Sequence, residues 1–168
     1  DAPKGLDRAV VGLLLVEDGP ELHPDPGVVR HLLGERLERL ARAGQDVTIV
    51  SSGLLLGFCE AVADKLMAEG IGCDVIDLRT LMPWDRDMVL DSVRRTRRCL
   101  IVHEDLRTGG FGAEIAAVVA DETLLDLDAP VARVTMPDIP SPHHPKLMEW
   151  ALPSPASIRT EIDRLVGF

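Results

Sequence analysis

Four times between Asp46 and the end of the chain, a short aliphatic, β-branched run gives way to a segment whose apolar residues recur at helical spacing. The runs are Val47-Thr48-Ile49-Val50, Asp74-Val75-Ile76-Asp77-Leu78, Leu100-Ile101-Val102 and Val131 to Val134. Runs of this kind suit strands buried on both faces. Strands alternating with helices require right-handed crossovers, which place helices on both sides of a mostly parallel sheet. The expected fold class is therefore α/β, a three-layer α/β/α domain.

The connecting segments carry their own signals. Ser51 or Ser52 offers a cap for a helix whose inward positions are Leu55, Phe58, Cys59, Val62 and Leu66, and Gly70 ends it. Pro83 stops the second strand, and Asp85 starts a helix through Thr96 with Val89 and Val93 inward. A third helix is expected from about Gly112 to Leu125, rich in alanine (Ala113, Ala116, Ala117, Ala120). The stretch Met136 to Pro142 is stiffened by proline and extended. A short helix follows at Lys146 to Trp150. The last has Ser154 as its cap, Pro155 at its first position and Ile158, Ile162 and Leu165 inward. Before Asp46 the pattern is weaker: Gly34 to Gly44 suits either an edge strand or a short helix, and residues 1–30, rich in proline and acid, have the character of a connector.

Totals narrow the function. A length of 168 residues suits one domain, and with no tyrosine and 3% aromatics the core must be Leu, Val, Ile and Ala. A net charge of −10 argues against nucleic acid and against anionic membranes as partners, and for partners with basic surfaces. No apolar run approaches the ~18 residues of a membrane span. Cys59, Cys73 and Cys99 are odd in number and set in apolar contexts, the pattern of buried free thiols in a reducing cytoplasm. No secretory leader is expected from these residues, and the start at Asp1 suggests a piece of something longer.

The chemistry-bearing stretch is Arg107-Thr108-Gly109-Gly110-Phe111-Gly112-Ala113-Glu114-Ile115, entered from Leu100 to Glu104. Its glycines allow a sharp turn and a close approach to a neighbour that a Cβ would forbid. It is neither G-x-G-x-x-G nor G-x-x-x-x-G-K-[ST]. A tight strand-to-helix corner packed against another surface is favoured over a phosphate cradle at Gly109 to Gly112. His103 and Glu104 sit at a strand end where acid–base pairs occur, yet neighbouring strand residues point to opposite faces. His143-His144 lacks a third ligand at metal spacing. The cluster Arg94, Arg95, Arg97 and Arg98 ends a helix, where cations complement the dipole; phosphate binding is the lesser reading.

Taken together, Asp46 to Val50, Val75 to Pro83, His103-Glu104, Arg107 to Ile115 and Leu127-Asp128-Ala129-Pro130-Val131 resemble one family. It is the C-terminal, transketolase-like domain of the beta subunit of thiamine-diphosphate-dependent 2-oxo acid dehydrogenases of the pyruvate or branched-chain type. The resemblance runs from about His31 to Phe168 and implies a five-stranded, mostly parallel sheet with one antiparallel edge strand, to which it assigns Arg36 to Ala43. Residues 1–30 are then the tail of a preceding pyrimidine-binding domain plus a linker.

The resemblance also implies an enzyme that decarboxylates a 2-oxo acid and acylates a lipoyl group. Its thiamine diphosphate and magnesium are held by other domains, so this chain alone is expected to bind neither and to be inactive. The family's Gly-Asp-Gly…Asn-Asn metal motif cannot be present in a chain without asparagine. What remains for these residues is assembly. His103, Glu104, Arg107, Thr108, Gly109, Gly110, Phe111, Gly112 and Glu114 are expected at a subunit interface, and Asp128 with the carboxylate of Phe168 at a docking face. The implied partners are the alpha subunit or thiamine-binding domains, a second beta subunit and the subunit-binding domain of a dihydrolipoyl acyltransferase. The alternatives are a stand-alone module binding a phosphorylated ligand at Gly109 to Gly112, and the C-terminal domain of a transketolase-type enzyme.

Overall fold

A computed structural model describes residues 38–168. The expectations for residues 1–30, and for Arg36 and Leu37 of the edge segment, lie outside them. The strands are β1 (Glu38–Arg42), β2 (Val47–Ser51), β3 (Cys73–Leu78), β4 (Cys99–Leu106) and β5 (Ala132–Met136). The helices are α1 (Leu55–Ala68), α2 (Arg86–Thr96), α3 (Phe111–Glu122), α4 (Pro145–Ala151) and α5 (Pro155–Val166). The sheet runs β1-β3-β2-β4-β5; β1 is antiparallel to β3, and every other pair is parallel. This is the five-stranded sheet with one antiparallel edge that the resemblance implied.

β1 resolves the ambiguous segment as a strand, with Glu38 opposite Leu78 and Leu40 opposite Ile76. Its alternation is faint because an edge strand tolerates, and benefits from, charge on its exposed positions. Side chains of the central strands alternate between two cores. Ile49, Val75, Leu100 and Val102 pack with Leu55, Cys59, Val62 and Leu66 of α1 and with Ile158, Ile162 and Leu165 of α5. Val50, Ile76 and Ile101 pack on the other face with Val89 and Val93 of α2 and Ile115 and Val119 of α3. The largest fully buried side chains are Ile, Leu and Val, as a chain so poor in aromatics requires.

Three local expectations need correction. Neither Ser51 nor Ser52 caps α1: Ser51 stays in β2, paired with Asp77 and Val102. Gly53, at φ +64°, then makes the turn, and Leu54 is the cap residue with no side-chain bond. Phe58 does not join the core; it is 37% exposed. α3 stops at Glu122 rather than Leu125, where the Thr123 hydroxyl folds back onto the Val119 carbonyl. Asp85 and Ser154 do cap α2 and α5, accepting from Met88 N at 3.0 Å and Ser157 N at 3.2 Å. No helix among the described residues is long and apolar enough to cross a membrane.

The amino ends of the strands are tied by a polar network that the sequence did not announce. Asp74, fully buried, accepts from Gly44 N at 2.7 Å, from Ser92 Oγ at 2.5 Å and from Arg95. Ser92 also meets Thr48 Oγ1 at 2.7 Å, and Thr48 meets Thr96 Oγ1 at 2.7 Å. The four clustered arginines all find acceptors: Arg94 on Asp91, Arg95 on Asp74, Arg97 on Asp128 at 2.9 Å and Arg98 on the Leu165 carbonyl at 2.9 Å. They tie the end of α2 to β3, to the loop after α3 and to the carboxyl end of α5.

Candidate functional site

β2 and β4 are neighbours whose outgoing helices leave to opposite faces, α1 on one side and α3 on the other. At such a switch point the connections diverge and open a crevice outside the carboxyl ends of the strands. A cavity of about 140 Å³ lies there, walled by Val50, Leu78, Leu81, Ile101, Phe111 and Ile115. Its polar contributors are Ser51, Ser52, His103, Glu104 and Asp105.

His103 explains the glycines. A Cβ on Gly112 would lie 2.3 Å from the His103 Cδ2 and Nε2 atoms, and one on Gly110 would lie 2.8 Å from His103 Cε1 and 2.4 Å from the Leu106 carbonyl oxygen. The neighbour that the bare backbone approaches is thus the imidazole of the same chain. That ring occupies the space over Gly110 and Gly112, while the position over Gly109 is open. Gly109 serves the turn itself, at φ +78°. Both His103 nitrogens are buried without a hydrogen-bond partner among the described residues. Burial pushes the imidazole below its ordinary value; Asp105 opposes this and Arg133 adds to it.

His103 and Glu104 diverge, as strand geometry requires. Glu104 Oε1 reaches 4.0 Å from the point where a Cβ would stand on Gly53, across the crevice on the β2 side. They are not an acid–base pair. The corner is held instead by the segment after β5. Asp138 accepts from Thr108 N and Thr108 Oγ1, both at 2.7 Å, and those bonds hold its carboxyl below the usual range. Arg107 N donates to the Met136 carbonyl at 3.0 Å, and Arg133 Nη1 to the Arg107 carbonyl at 2.8 Å. Asp138 was invisible to motif reading; an aspartate in a proline loop signals only a turn.

With those bonds made, the side chains of Glu104, Arg107 and Glu114 are exposed and form no ion pair among the described residues. Exposed apolar groups stand on the loops after β2 and β3 and on α1: Leu54, Phe58, Leu81, which lines the crevice, and Met82, 84% exposed.

Asp128 and Phe168 lie at the opposite, amino end of the sheet. Arg97 and Arg98 connect them: Arg97 bonds Asp128 and lowers its carboxyl's affinity for protons, while Arg98 caps the Leu165 carbonyl near the end of α5. Phe168 is 63% exposed, its ring under the Arg164 guanidinium at 5.4 Å.

Metal and thiol chemistry have little basis here. Among the described residues no group of three or more His, Cys, Asp or Glu could hold a metal ion, and His143 and His144 are exposed, His144 serving as the residue before α4. The three cysteines are buried; desolvation raises Cys59 to about 11, with the Ser51 hydroxyl pulling the other way, and Cys73 and Cys99 to about 12. The crevice offers no lysine or arginine to a diphosphate and presents two carboxylates to it. The described residues therefore do not fit thiamine diphosphate with magnesium.

A five-stranded α/β domain with one antiparallel edge strand defines a class, and sequence comparison gives it a family. The profile described as "Transketolase, C-terminal domain" matches residues 37–158, and the chain belongs to that family. Within it, the chain resembles the C-terminal part of 2-oxo acid dehydrogenase beta subunits. It is 34% identical over 128 residues to the 2-oxoisovalerate dehydrogenase subunit beta of Bacillus subtilis, a match covering 76% of this chain and 39% of that protein. It is 50% identical over 101 residues to the mitochondrial 2-oxoisovalerate dehydrogenase subunit beta 2 of Arabidopsis thaliana, covering 60% and 28%. Among solved structures, a split-gene transketolase described as an inactive beta4 tetramer superposes with a TM-score of 0.68 at 25% identity, covering 89% of this chain and 45% of that one. The chain thus spans less than half the length of these relatives.

Proposed function

We propose that this chain is the assembly and docking portion of the decarboxylating component of a 2-oxo acid dehydrogenase complex. In that enzyme other domains hold thiamine diphosphate and magnesium, decarboxylate the 2-oxo acid and pass the acyl group to lipoamide. The observation that carries this reading is the corner around His103. Its internal bonds are complete, yet Glu104 at the apolar crevice, and Arg107 and Glu114 flanking the glycine turn, are exposed and form no ion pair among the described residues, Arg107 reaching Asp138 only through its charge. Exposed apolar side chains rimmed by charges suit a contact with another subunit. His103, Thr108, Gly109, Gly110, Phe111 and Gly112 build that contact from beneath by shaping the corner. The surface is offered to a second beta subunit and to the alpha subunit or thiamine-binding domains. Similarity to dehydrogenase beta subunits supports the enzyme class, and a cytoplasmic location accords with the buried, unoxidised thiols.

At the amino end of the sheet, Asp128, the Phe168 carboxylate and the negative end of α5 form the docking face for the acyltransferase's subunit-binding domain. Asp128 is already shared with Arg97, so a basic partner has to enter that pair rather than meet a bare carboxylate. The test is calorimetric titration of the full beta-subunit assembly with the isolated subunit-binding domain. Asp128→Lys weakens binding tenfold or more, and raised salt weakens the unaltered protein as well. Unchanged affinity for Asp128→Lys refutes the docking assignment.

A further inference from the structure

We propose that the groove between α2 and the edge strand β1 seats the chain's own residues 28–37, their valines and leucines covering its apolar strip while Arg30 and Arg36 meet Asp87 and Asp91. The inference goes beyond the assembly reading above and does not depend on it. The groove has a volume of about 260 Å³; Leu40, Ile76 and Met88 line it with the exposed charges Asp87, Asp91 and Arg95. It exists because α2 packs over β2 and β3 and stops short of β1, the outermost strand on that side. Leu40 stands opposite Ile76 across the ladder, yet it joins neither core and is 44% exposed.

The occupant follows from connection and charge. Glu38 lies opposite Leu78, the last residue of β3, so the chain enters β1 at the carboxyl end of the sheet. α2 starts from that same end, with Asp87 in its first turn. Gly34 gives the preceding segment a place to reverse. Glu38 and Leu40 are separated by two strand residues, about 7 Å, well within the reach of residues 28–33. Arg95 is held by buried Asp74, and Arg94 meets Asp91 at 3.3 Å between two exposed side chains, a weak pair. Asp87 forms no hydrogen bond or ion pair among the described residues, so the groove presents negative charge. In a chain of net charge −10, Val28-Val29-Arg30-His31-Leu32-Leu33-Gly34-Glu35-Arg36-Leu37 sets two arginines against a single glutamate and is otherwise mostly apolar. That combination complements an apolar strip edged by aspartates. A second copy would instead bring like charges together at this groove.

The experiment is methyl NMR on the full 168-residue chain, with the Met88 ε-methyl assigned through the volume-conserving variant Met88→Leu. The expected result is cross-relaxation from that methyl to methyls of Val28, Val29, Leu32 or Leu33, unchanged on tenfold dilution. Arg30→Glu combined with Arg36→Glu weakens those signals at least threefold, while unchanged Ile158 and Ile162 methyl shifts verify that the domain is folded. Absence of any signal between Met88 and residues before Glu38 overturns the proposal. Signals seen only between differently labelled chains in a mixed sample also overturn it, in favour of a second copy. Signals undiminished by the double charge reversal overturn the role given to Asp87 and Asp91.

Discussion

Replacing Gly112 by alanine tests whether His103 is the reason for the glycine. On helix propensity alone the change stabilises, since alanine is favoured over glycine by about 1 kcal/mol within a helix, and Gly112 lies inside α3 without a positive φ. Against this, the new methyl would stand 2.3 Å from two ring atoms of His103 and 3.0 Å from Ile101 Cγ2. Overpacking of this kind costs about 1–3 kcal/mol. The ring cannot slide towards Gly110, where its Cε1 atom already leaves only 2.8 Å for a Cβ. The balance runs from near zero to a net loss of about 2 kcal/mol, or a fall of up to several degrees in melting temperature. The decisive measurement is a double-mutant cycle by urea denaturation. In a His103→Ala background the clash is gone, and Gly112→Ala turns neutral or stabilising, a reversal of sign worth at least 1 kcal/mol of coupling. An equal cost in both backgrounds would show that the imidazole is not what the glycine accommodates.

Three further outcomes follow from the same structure. Asp74→Ala strands the Gly44 N–H, Ser92 Oγ and Arg95, and costs about 3 kcal/mol by chemical denaturation, where a surface aspartate such as Asp64 costs far less. Stability falls as pH drops through about 6.5, because the unfolded chain protonates the histidine while the folded one, whose His103 binds protons more weakly, does not. The loss stops growing below the folded value, and His103→Gln flattens that part of the profile measured by denaturation midpoints. Arg97 holds φ +62° after α2, so Arg97→Gly is more stable than Arg97→Ala by about 1 kcal/mol in thermal unfolding, although both lose the bond to Asp128.

Much of the fold was legible because its signals are local. The runs at Val47, Val75, Leu100 and Val131 had to be strands, and Asp85 and Ser154 announced their helices through capping chemistry that acts within three residues. The edge strand was not legible from its own residues, since Glu38 to Arg42 is defined by pairing with β3, some 35 residues away. The serine cap of α1 failed for a related reason: strand pairing claimed Ser51 before the helix could. In the candidate site, the corner and its residues were visible as a motif, and family resemblance gave them a role. The partner of the glycines was not visible.

The order of elements, the alternation that splits one sheet into two cores, and the bareness of the Gly109 to Gly112 turn were all determined by the sequence alone, because each depends on residue type and short spacing. Only the tertiary structure decided that His103 occupies the glycine hollow, that Asp138 pins Thr108 and Arg133 the Arg107 carbonyl, and that Arg97 holds Asp128. Those contacts join residues brought together by crossovers, and no local pattern encodes which of many exposed charges a folded chain leaves without a partner.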